Sequence, residues 1–75
     1  MNNQRRTEIA KAVKLIDEAN TILADVSADE SFAFDNMPEN LQDSDRASTM
    51  EDNVDKLEEA CSSLDDVIES LNEIE

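Results

Sequence analysis

Apolar residues in the second half of the chain fall at alternating spacings of three and four: Ala47, Met50, Val54, Leu57, Cys61, Leu64, Ile68 and Leu71. This is the period of one helix face, and it is held long enough to define an a/d heptad seam. Ala60, Val67 and Ile74 occupy the flanking g positions, so the apolar stripe is wider than a two-stranded seam needs. The acids Glu51, Asp52, Asp55, Glu58, Glu59, Asp65, Asp66, Glu69 and Glu73 all fall on e, f and b, and no acid enters a, d or g before Glu75. The first half repeats the design more loosely. Ile9, Ala12, Ile16, Ala19, Leu23 and Val26 form an a/d series, Leu15 and Ile22 fill g, and Val13 widens the face. The next a position is Glu30, where the pattern weakens. Ser27 and Glu30 could form a capping box that restarts a helix there, or the helix could run on toward Phe34.

Pro38 ends any helix arriving from its N-terminal side and suits the first turn of a short helical piece through Leu41. Ser44, or Ser48 with Glu51, can cap the second helix. The expected architecture is all-α, a single domain over residues 1–75. It has two long helices, about 4–31 and 44–74, folded back as an antiparallel hairpin through a connector at about 32–44. Charge favours this orientation. Residues 1–34 carry four basic and six acidic groups, net −2, and residues 35–75 carry two and fourteen, net −12. Antiparallel folding brings Arg5, Arg6, Lys11 and Lys14 beside the segment from Asp65 to Glu75. Cross-helix attraction there can offset unfavourable helix dipoles. Two helices cannot bury two wide stripes against each other alone. A homodimer forming a four-helix bundle is the simplest cover, and a heteromeric partner is the other.

Composition then narrows the function. With 20 acidic and 6 basic side chains the net charge is −14, which opposes direct binding to nucleic acid or to anionic membranes. There is no Gly and no His, so phosphate-cradling loops lack their usual residue and the commonest general base and metal ligand is missing. Carboxylates on an outward face sit in water, where nothing separates their pKa values for acid–base work. No enzyme activity, metal or cofactor is expected. Cys61, at an a position, reads as a buried structural thiol. A single Cys, an N-terminus without an apolar leader segment and no run of ~20 apolar residues fit a cytoplasmic protein.

Two features invite a partner. Phe32, Phe34, Met37 and Leu41 cluster in the connector, either as a plug over the bundle end or as an apolar docking tip. The acids Asp52, Asp55, Glu58, Glu59, Asp65, Asp66 and Glu69 line the second helix. Fourteen acids over residues 35–75 amount to one charge per ~4 Å if the segment is helical, against ~3.4 Å per phosphate along one DNA strand. The stripe is either a solubilising face or a mimic of nucleic acid.

The run Phe34-Asp-Asn-Met-Pro-Glu-Asn-Leu-Gln-Asp-Ser-Asp-Arg46, followed by acidic heptads, resembles a family of short acidic helical-hairpin proteins encoded in bacteriophages and prophages. The resemblance spans roughly residues 8–74, and the F-D-N-x-P-x-x-L-Q-x-S-x-R connector carries it. It implies a cytoplasmic protein of a bacterial host that inhibits a basic host protein, such as a nucleic-acid-binding defence factor. A structural or chaperone-like adaptor, lending its apolar stripe to a partner helix, is the competing expectation.

Overall fold

The computed structural model describes residues 1–75 as two helices and one tight connector. Helix α1 spans Asn3–Asp35, a single 3₁₀ turn spans Glu39–Leu41, and helix α2 spans Asp45–Asn72. Each boundary has a local cause. The Asn2 side chain accepts the backbone N–H of Arg5 at 2.8 Å, satisfying one of the donors left open at a helix start. At the other end the Phe32 carbonyl accepts both the backbone N–H of Asn36, at 3.0 Å, and its side-chain amide, at 2.8 Å. Pro38 then forbids continuation. Ser44 caps α2: its Oγ accepts the Ala47 N–H at 3.2 Å and donates to the Leu41 carbonyl at 2.6 Å. Ser44, not Ser48, is thus the cap. Asp45 in the first turn complements the helix dipole. The side chain of Gln42 donates to the Met37 carbonyl and braces the connector.

Helix α1 is longer than the sequence pattern suggests. It passes through Ser27 and Glu30 without a restart and ends at Asp35, not near 31, so the connector shortens to residues 36–44. Helix α2 begins one residue later and ends two residues earlier than expected. Glu30 is tolerated at a seam position because Asn53 of α2 donates to its Oε2 at 3.0 Å.

The helices pack antiparallel along their length. On α2 the contact face is the expected one, and Ala47 and Met50 are its buried members. On α1 the face is rotated. Ile9, Ile16 and Leu23 turn inward as expected, but their companions are Val13, Asn20, Ser27 and Phe34 rather than Ala12, Ala19 and Val26. The apolar arc of α1 is wider than one neighbour can cover, and this rotation lets Asn20 and Glu30 reach polar partners on α2. Asn20 donates to Asp65 Oδ1 at 2.7 Å, and the Cys61 thiol lies 3.9 Å from the Asn20 carbonyl. These bridges join residues far apart in sequence and hold the register of one helix against the other.

The result is a rod measuring 59 × 15 × 12 Å, with a radius of gyration of 17.3 Å against ~11 Å for a compact chain of this length. Only Ser27, Ala47 and Met50 are buried, so the tightest packing lies toward the connector end. The molecule is a single layer of two helices, where most domains close a core between two layers.

Candidate interaction surfaces

The seven acids expected to form a partner-binding face all lie on α2 and all are exposed. At 100° per residue, positions e, b and f cover an arc of ~100° that runs from the edge of the seam to the back of the helix. Asp52, Asp55, Glu58, Glu59, Asp65, Asp66 and Glu69 therefore form one surface, ~26 Å long, with a charge every ~4 Å. Asp65 alone takes a cross-helix hydrogen bond, from Asn20. The side chain of Lys56 interrupts the acidic series in sequence but sits at a c position, off the arc.

The basic end of α1 behaves differently from expectation. Its one ion pair is Lys11 with Glu8, 3.1 Å apart and on the same helix. No ion pair crosses between the helices, so the cohesion between them comes from the apolar seam and the two amide–carboxylate bridges. An exposed i,i+3 pair of this kind contributes little.

The four residues expected in the connector divide, and Phe32 and Phe34 lie in the last turn of α1. Phe34 and Met37 are half-buried, and Phe34 lines a shallow groove with Ser31, Glu51, Val54 and Asp55. Phe32 is 71% exposed and Leu41 stands out as well, so only half of this cluster covers the rod's end. The sequence left plug and tip as alternatives; two of the four side chains are half-buried and two are exposed.

A third surface lies between these features. Leu15, Ile22 and Val26 of α1 are 65%, 62% and 46% exposed, and Ala12 and Ala19 lie among them. In an antiparallel pair of right-handed helices, equivalent heptad flanks share a side. One side of the rod shows this directly, where Ala24, Ala28 and Ser31 meet Glu58, Ser62 and Asp65 across a groove. The opposite side consequently joins the d and g positions of α1 to the g and c positions of α2: Ala60 and Val67, then Thr49, Lys56, Ser63 and Ser70. No acid occupies g or c on α2. The exposed stripe could be found in the sequence, since Leu15, Ile22 and Val26 were read as apolar face residues; what was missed is that they point away from α2.

No three carboxylates or thiols converge as a metal-binding group, and no helix is long and apolar enough to cross a membrane. The grooves on the rod are open to solvent. The fold and its surfaces define a two-helix hairpin whose acidic, apolar and connector faces are spatially separate. No family model, curated protein or solved structure matches the chain.

Proposed function

We propose that this chain is a non-enzymatic binding protein of phage or prophage origin. It inhibits a basic host protein, a defence or nucleic-acid-handling factor, by covering the partner's cationic groove with the acidic face of α2. The observation that carries this reading is the sorting of carboxylates. Seven exposed acids on one arc of α2 approach the charge spacing of a nucleic-acid strand, while the seam face and the opposite flank of α2 are kept free of them. The charged face speeds encounter and disfavours acidic partners, and the exposed Phe32 and Leu41 add apolar specificity. As a homodimer, the protein presents two such faces.

The test is capture of a partner from a bacterial lysate on the immobilised chain. The reading expects retention at low salt, release as salt rises through the range where exposed charges are screened, and release by added duplex DNA. The variant Asp55→Lys, Glu58→Lys, Glu59→Lys, Asp66→Lys, Glu69→Lys alters only exposed side chains and is expected to fold and to capture nothing. Capture that is indifferent to salt, to DNA and to this variant contradicts the reading. A second reading, an adaptor that lends an apolar face to a partner helix, is favoured by the uncovered Leu15, Ile22 and Val26. It requires a chain that is monomeric until the partner is added.

A further inference from the structure

We infer that the flank carrying Leu15, Ile22 and Val26 of α1, with Ala60 and Val67 of α2, is the docking face for a second copy of this chain. The inference deepens the dimer named above by assigning its surface.

Area gives the first argument. The single chain exposes 5757 Å², whereas a compact protein of 8.4 kDa exposes ~4,600 Å². The excess is ~1,100 Å² per chain, and a stable interface of ordinary size covers ~800 Å² on each partner. A two-fold interface uses the same patch twice, so one face can cover the excess on both copies.

Angle gives the second argument. In a square four-helix bundle each helix meets two neighbours in directions about 90° apart. On α1 the contact with α2 is centred between positions a and e, and the exposed Leu15, Ile22 and Val26 fall between d and g, ~110° away. On α2 the g positions stand ~90° from the a/d seam, toward the same side. Both helices therefore point an apolar stripe in the direction in which a second hairpin would lie.

Charge gives the third argument. Two chains of net charge −14 repel, so they meet most readily where carboxylates are missing. The g and c positions of α2 are the stretch of its outer surface that carries no acid, with Lys56 among them. On α1 the apolar patch runs ~21 Å from Ala12 to Val26 and is bounded by Glu8 and Asp29, an apolar centre within a charged rim. Large residues at 15, 22 and 26 alternate with alanines at 12, 19 and 60, which supplies ridges and hollows on one self-complementary surface. The acidic arc of α2 remains outside the bundle.

Sedimentation equilibrium on the full chain tests this. The wild type is expected to have twice the mass of the 8.4 kDa chain. Leu15→Ala with Ile22→Ala keeps helix propensity and is expected to weaken the dimer by at least ~100-fold. Leu15→Glu with Ile22→Glu is expected to abolish it. Should these variants lose helicity, Val67→Cys in a Cys61→Ser background gives an independent readout, because a bulky thiol adduct at position 67 is expected to weaken the dimer while helicity is kept. A wild type that is monomeric at high micromolar concentration overturns the inference. So does a dimer unchanged by Leu15→Ala with Ile22→Ala and by the adduct at position 67. Salt-dependent capture by the acidic face reads the other proposal separately, since the variants used here leave that face intact.

Discussion

Asn20 is the place where the seam between the helices is least well satisfied. It lies between Ile16 and Leu23 on the contact face of α1. Its amide donates to Asp65, but its Oδ1 is buried without a partner. An orphaned buried acceptor costs ~1–3 kcal/mol, while the single bond to a carboxylate contributes ~1.5 kcal/mol or somewhat more. Replacing Asn20 by Leu removes both. Asp65 is exposed and regains water at little cost. A half-buried Leu side chain adds ~1 kcal/mol of apolar burial. The balance predicts that Asn20→Leu stabilises the protein by ~1–2 kcal/mol, a rise in melting temperature of roughly 4–15 °C for a chain of this size. The assay is thermal unfolding followed by circular dichroism, at one fixed protein concentration because the midpoint of any self-associating chain depends on it. An equal or lower melting temperature refutes the reasoning, and would mean that the amide–carboxylate bridge is a net source of stability. The predicted rise would mean that the wild type keeps Asn20 for register at a cost in stability, as single polar residues are kept in coiled-coil seams.

Three further outcomes follow from the packing. Met50→Ala opens a gap in the only well-buried part of the seam and is expected to cost ~2–4 kcal/mol in chemical denaturation, enough to leave the isolated chain largely unfolded. Ser44→Ala removes the α2 cap and its bond to Leu41, with an expected loss of ~0.5–2 kcal/mol and faster amide exchange confined to residues 44–48. Raising NaCl from ~0.05 M to ~0.5 M is expected to raise the melting temperature, because screening relieves the repulsion among 20 acidic groups; a fall would show that ion pairs dominate.

Helix α2 was legible almost residue by residue. Its acids and aliphatics are strictly partitioned, so only one face can be inward, and Ala47 through Leu71 take the places the heptad assigns. Helix α1 was legible as a helix but not in its rotation. Its apolar arc covers a, d and g together with Val13, and a pattern that wide fits several orientations. The outcome turned on Asn20 and Glu30, polar residues that pattern reading places outside a seam and that here lie in it because Asp65 and Asn53 stand opposite. Glu30 also bears on the end of α1: the pattern left open a restart there or a helix running on toward Phe34, and Glu30 is a bridge to Asn53 within an unbroken helix that ends at Asp35. The acidic arc was fully readable, since e, b and f positions follow once the seam is known. The Leu15–Ile22–Val26 stripe was readable as apolar but not as exposed, because exposure depends on the rotation.

All of these surfaces presuppose that the chain folds back on itself in the observed register, and a pair of spin labels measures this directly. Ala10 and Asn72 line one groove of the hairpin. With Ala10→Cys and Asn72→Cys labelled in a Cys61→Ser background, and diluted with unlabelled chain to suppress signals between copies, the account predicts a narrow distance distribution below ~25 Å. A continuous helical rod would separate the two positions by ~93 Å. A distribution centred beyond ~50 Å, or one too broad to define a centre, would contradict the antiparallel hairpin and with it the separation of acidic and apolar faces.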